Sequence, residues 1–169
     1  MSGLYEDFVP TFVQIIEAQL DLVEKAEAFC ATNGVAPAAL LEERLAADML
    51  PLKFQLQMIS RHSAGAIAHF TGKAAPQAGG DSFEAIRRSL NEALAFLEAV
   101  KPSDLAGVEN KPLTLEMRSG VMNFTGRHYL AGFAMPNFMF HAAAGYAILR
   151  KAGVAIGKRD FLGKIPTAA

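Results

Sequence analysis

The sequence has a single cysteine, Cys30, so an internal disulfide is excluded. With no hydrophobic leader at "MSGLYEDFVP", the simplest expectation is a reducing cytoplasm. An excess of either charge is also lacking. Sixteen Lys plus Arg against 17 Asp plus Glu leave a formal net charge of -1, too little to collect the phosphates of a nucleic acid or an anionic membrane surface. Neither partner is expected. There is no internal repeat, low-complexity tract or charge run. No Gly-x-Ser-x-Gly elbow, His-Glu-x-x-His pair or Cys-x-x-Cys pair occurs. "GVAIGKR" falls short of a phosphate loop by one spacer residue and carries Arg159 where Ser or Thr is needed. Asn123 opens an Asn-Phe-Thr triplet, which means little without secretion. A long uncharged run does exist, from Tyr129 to Leu149, and it has the length to span a bilayer. Pro136, Asn137, His141 and several small residues interrupt it, which favours a helix packed inside a protein, so no membrane partner is expected.

What is present is ordinary globular material, 51% hydrophobic and 20% charged over 169 residues, which predicts one domain over 1–169. From about Tyr5 to Ala31, Phe8, Phe12, Ile15, Leu22, Ala26 and Phe29 recur at helical spacing, and Asn33-Gly34 supplies a stop. "VAPAALLEERLAADM" reads as a short helix and linker. Asp48 and Pro51 then suit the start of a second long helix, with Leu52, Leu56, Ile59, Ser63, Ile67 and Phe70 inward and His62 at the stripe's edge. A Gly/Ala/Pro-rich loop, "TGKAAPQAGGD", precedes a third helix that runs to Val100, with Asp81 as its N-cap and Glu84 completing a capping box. "LTLEMRSGVMNFTG" predicts a small β-hairpin turning at Ser119-Gly120. A short helix over Arg127 to Phe133 follows, and Pro136 opens the last long helix, which Gly153 closes. The sum is an all-α four-helix bundle with short connector helices and a small hairpin before the last helices.

Polar groups on these apolar faces are the candidates for chemistry. His141 and Asn137 lie four residues apart in "MPNFMFHAAAGYAILRKAG", which stacks them on one helix face. A bundle builds ligand sites from facing helices, so His62 and His141 can converge. From spacing alone, core-edge histidines satisfied by hydrogen bonds are the commoner outcome, because two histidines do not fill the three protein ligands of a catalytic zinc. His69, near the end of the second helix, suits a surface or capping role. Asn137, just after Pro136, suits a role in tying down exposed backbone groups. Arg127, His128 and Tyr129 are candidates to rim a pocket, although surface ion pairs are commoner. Cys30 reads as a buried, inert thiol. Gly145 and its neighbouring alanines suit a close helix approach.

"ADMLPLKFQLQMISRHSAGAIAHFTG", "PNFMFHAAAGYAILRKAGVAIGKRDFLG" and the Leu-Arg-x-x-Gly close of the last helix carry a resemblance to the DinB/YfiT-like superfamily, and within it to a family known only as a domain of unknown function. The resemblance covers nearly the whole chain. It implies a four-helix bundle with a long crossover, commonly a homodimer. In many members it implies a divalent metal held by three histidines, one from the second helix and two, four apart, from the last. His62 matches the first ligand and His141 the second of the spaced pair. The remaining position falls on Asn137, a neutral and weaker ligand for zinc or nickel than imidazole, so the triad is incomplete.

Two functions follow from that resemblance. One is a metal-dependent enzyme, a transferase or hydrolase, with His62, His141 and Asn137 holding a zinc or nickel ion between helices 2 and 4. The other is a metal-free dimeric module for small-molecule binding or stress response, with the same residues as hydrogen-bond partners. A third acidic or histidine side chain converging on His62 and His141 would favour the enzyme, with Asp48 and Glu116 as the candidates.

Overall fold

The apolar stripe of the first segment forms the longest helix, α1 (Leu4–Asn33). Phe12, Ile15, Ile16, Leu22, Val23 and Ala26 are buried along it, since positions three and four apart share one face. Gly34 ends it at a left-handed φ of 67°, with its N–H on the Cys30 carbonyl. The computed structural model describes residues 3–117 and 120–167. A short α2 (Pro37–Glu42) leads to α3 (Leu52–His62), for which Pro51 stands at the N-cap.

The second helix departs from the continuous one expected. It breaks at Ser63, whose φ of -109° and ψ of -90° lie outside the helical region, and resumes as α4 (Ala64–Thr71). The buried Ser63 hydroxyl donates to the Ile59 carbonyl at 2.7 Å, a back-bond of the kind that bends helices. The cap of α5 (Phe83–Glu98) also shifts by one residue from the expectation. Ser82, in extended conformation, accepts from the Ala85 amide at 3.2 Å, while Asp81 pairs with Lys53 at 3.4 Å. Glu84, one position short of a capping box, pairs with Arg88 instead.

Beyond a 3-10 turn at Pro102–Leu105, β1 (Pro112–Met117) pairs antiparallel with β2 (Gly120–Thr125), Leu113 opposite Phe124. Ser119 of the expected turn lies outside the described residues. Leu113, Leu115 and Phe124 rest on the bundle core, which is the packing a lone hairpin needs. The chain then runs without a break through α6 (Gly126–Tyr129), a π-type turn (Leu130–Ala134) and α7 (Met135–Lys151). Pro136 falls in the first turn of α7, as expected, although the chain ahead of it is already helical. The widened turn just before it accommodates the missing N–H and the ring that would strike the preceding turn. A short α8 (Lys158–Leu162) returns to α1, where Gln14 Nε2 donates to the Leu162 carbonyl at 2.7 Å.

α3 packs on α7, α1 on α5 and α8, and α5 also on α3 and α4, giving the four-helix bundle with its hairpin. No described helix is long and apolar enough to cross a membrane. Between α3 and α7, a Cβ added at Gly145 would meet Leu56 Cδ2 at 3.6 Å, an ordinary contact, so this approach does not require glycine. Gly126 is different. A Cβ there would come within 2.2 Å of the Val108 carbonyl oxygen, so α6 docks backbone to backbone on the preceding loop.

One core position is poorly matched. Gln19 is fully buried on the inward face of α1, and neither its amide nitrogen nor its oxygen has a hydrogen-bond partner among the described residues. An unmet buried amide costs about 1–3 kcal/mol, and methionine offers nearly the same shape without it. Gln19→Met is therefore expected to raise the stability by about 1 kcal/mol in urea denaturation. A lowered midpoint with an unchanged slope would mean that a buried water serves this amide.

Candidate functional site

The α3–α7 contact brings two sequence candidates together. His62, the last residue of α3, and His141, in α7, face each other with ring centroids 5.5 Å apart and planes 11° from parallel. The break at Ser63 ends α3 just beyond His62. A cavity of about 700 Å³ opens beside the pair. Phe54, Met58 and Arg61 of α3, Tyr129 and Phe133 of the last helical run, and Glu116 of β1 line it. Phe133 sets its ring edgewise to His62 at 5.8 Å and stacks on Tyr129 at 5.7 Å, so one wall is aromatic.

The buried amide of Gln55 fixes His141. Its Nε2 donates to the Leu50 carbonyl at 2.8 Å, which turns Oε1 toward His141 Nδ1, also at 2.8 Å. An oxygen there can only accept, so this pattern assigns the ring proton to Nδ1 and leaves the Nε2 lone pair free. Burial, followed by the nearby His141 and Arg61, pushes the His62 pKa down to about 4. Burial also lowers that of His141. Both rings are thus neutral at neutral pH. Burial raises the Tyr129 hydroxyl to about 12 against the opposing charge of Arg61, so it stays protonated and able to donate. His69 is exposed, meets Tyr129 edge to face at 5.6 Å, and is lowered by partial desolvation and then by Arg61.

The other candidates divide. Asn137 lines the cavity, and its Nδ2 donates to the Phe133 carbonyl at 2.7 Å, so it ties down the turn and has Oδ1 left to offer. Tyr129 is buried in the wall. Arg127 and His128 depart from the expected pocket rim: both are exposed on α6 and neither lines the cavity. Successive helical residues point about 100° apart, so turning Tyr129 inward sends its two predecessors outward, and Arg127 pairs with Asp7 at 3.2 Å. Asp48 is exposed and away from the cavity. Cys30 is buried, and burial together with Glu27 raises its thiol pKa.

Among the described residues, no three His, Cys, Asp or Glu side chains gather where they could hold a metal ion. Two neutral imidazoles and one amide oxygen supply neither the third imidazole nor an anionic ligand, so the donor set does not fit a resident zinc or nickel. Sequence reasoning missed Gln55 and, in the cavity wall, Phe54, Met58, Arg61 and Phe133. The available signal for Gln55 was its position beside Leu56 on an otherwise apolar inward stripe. The four wall residues carried none.

A family described as "Domain of unknown function (DUF1993)" matches residues 4–162. Among solved structures, the crystal structure of a DinB family member protein from Shewanella denitrificans superposes with a TM-score of 0.86 at 30% identity. The match covers 98% of this chain and 95% of that one. No curated protein matches.

The lowered histidines make stability depend on pH. Below about pH 6.5 the unfolded chain takes up protons that the folded rings refuse. Stability is therefore expected to fall as the pH drops from 6.5 toward the folded His62 value of about 4. Urea midpoints at pH 7 and 4.5 test this, with His62→Gln expected to lose less stability than the parent. Equal losses would show that His62 titrates normally.

Proposed function

The chain belongs to the family described as Domain of unknown function (DUF1993) and has a DinB-like fold, and from that premise we propose that the cavity between α3 and α7 is a metal-free binding site for a small organic ligand. One observation carries the reading: an asparagine stands where the resemblance calls for a third imidazole, and among the described residues no third His, Cys, Asp or Glu joins the facing pair. In this reading His141 Nε2 and Asn137 Oδ1 accept hydrogen bonds, the Tyr129 hydroxyl donates one, and Phe54 and Phe133 hold the ligand's apolar part. A volume of about 700 Å³ suits such a ligand.

The metal-dependent alternative makes a different prediction. Protein purified without a histidine tag or added metal is expected to carry well under one zinc or nickel per chain by elemental analysis. Asn137→His, which completes three imidazoles, is expected to tighten zinc binding by about tenfold or more. Stoichiometric metal in the parent that disappears in both His62→Ala and His141→Ala would overturn the proposal.

A further inference from the structure

Arg61 is the cation of the cavity wall. It stands on α3 directly before His62, and among the described residues no carboxylate lies within ion-pair distance and no group accepts a hydrogen bond from it. Glu116, across the cavity on β1, lines the same space without pairing with it. This arginine stands in the last turn of α3, beside an aromatic wall and three histidines, and makes no side-chain bond that ties down a loop among the described residues. We propose that the cavity selects an anionic ligand, a small aromatic or amphipathic molecule whose carboxylate or phosphate is gripped by the Arg61 guanidinium while its apolar body lies against Phe54, Phe133 and Tyr129. This rests on the ligand-site reading above and adds the sign of the ligand's charge.

The electrostatics agree with the placement. The charge of Arg61 reaches His62, His69 and Tyr129, whereas no carboxylate contributes to the shifts of these groups or of His141. The α3 wall of the cavity thus sets a positive charge beside neutral hydrogen-bonding rings. A planar guanidinium fork matches carboxylate or phosphate oxygens two at a time. The Phe54–His141 edge contact at 6.0 Å and the Phe133–Tyr129 stack offer aromatic surface on either side. Protonated histidines would add to this charge only below neutral pH, so at neutral pH Arg61 is the one cation among the described residues lining the cavity.

The test uses three probes of one shape class, benzoate, its neutral isostere benzamide, and phenyl phosphate. Each is titrated into the full chain while the imidazole resonances of His62 and His141 are followed by NMR. Benzoate is expected to bind at least about tenfold tighter than benzamide. Arg61→Gln, an exposed side chain with no partner to lose, is expected to bring benzoate down to the benzamide level and leave benzamide unchanged. An intact amide spectrum of the variant confirms its fold. Phenyl phosphate binding tighter than benzoate, with the same dependence on Arg61, supports the proposal and identifies the anionic group. If benzoate and benzamide shift both histidines with equal affinity and Arg61→Gln changes neither, the charge selection is overturned while the ligand site stands. If no probe shifts His62 or His141, both readings fall.

Discussion

The buried amide of Gln55 is the joint on which the cavity depends. It donates to the Leu50 carbonyl in the segment before α3 and accepts from His141 on α7, so one planar group ties the start of one helix to the middle of another. Each bond contributes about 1 kcal/mol net, but leaving a buried partner unmet costs about 1–3 kcal/mol. The amide therefore acts less as glue than as a constraint. With Oε1 held toward α7 and Nε2 toward Leu50, the proton of His141 is confined to Nδ1 and its Nε2 lone pair is left exposed. Gln19 is the contrasting case on α1, an amide of the same kind in the same core with neither atom matched.

Two irregularities in otherwise regular helices frame the pair. Ser63 sets the backbone outside the helical region one residue after His62, and its hydroxyl takes up the Ile59 carbonyl. On the facing side, the π turn over Leu130–Ala134 widens the helix ahead of Pro136, and the Asn137 side chain takes up the Phe133 carbonyl. In both, a side chain one turn on donates to a backbone oxygen beside the irregularity, and the Ile59 carbonyl accepts the Ser63 N–H as well, at 3.1 Å. The cost in regularity is small and local. Phe133 and Tyr129, four residues apart along this run, face the cavity together.

The bundle was legible because burial imposes a 3.6-residue repeat, and the inward stripes of α1, α3 and α5 are long enough for that repeat to stand out. His62 and His141 were legible as polar exceptions on such stripes. What the sequence left open depends on angles that no pattern encodes. The cap of α5 passed from Asp81 to Ser82 because a one-residue change in where the backbone turns decides which oxygen meets the amide. Arg127 and His128 were grouped with Tyr129 by adjacency, yet the 100° turn between neighbours sent them to solvent. The break at Ser63 and the π turn carry no distinct residue signature, since serine is common in helices and the Leu-Ala-Gly-Phe-Ala stretch reads as ordinary helix. Gln55 was visible but mute, because a lone polar residue on an apolar face says that it has a partner without naming one.

The charge state of the site follows first from burial and then, at His62, from how closely the charges around it sit. Two imidazoles with centroids 5.5 Å apart in a half-buried setting, beside a guanidinium, cannot both carry a proton cheaply: each added charge meets a like charge across a medium less polar than water. Neutrality makes the rings hydrogen-bond partners and aromatic surface rather than cations, and it leaves the site's positive charge on Arg61. A third imidazole in place of Asn137 would change this balance, because a metal ion shared by three rings would consume their lone pairs and bring its own double charge into the cavity. Asparagine does the reverse. Its amide nitrogen is committed to the Phe133 carbonyl, and its oxygen brings only a partial charge beside the two neutral rings.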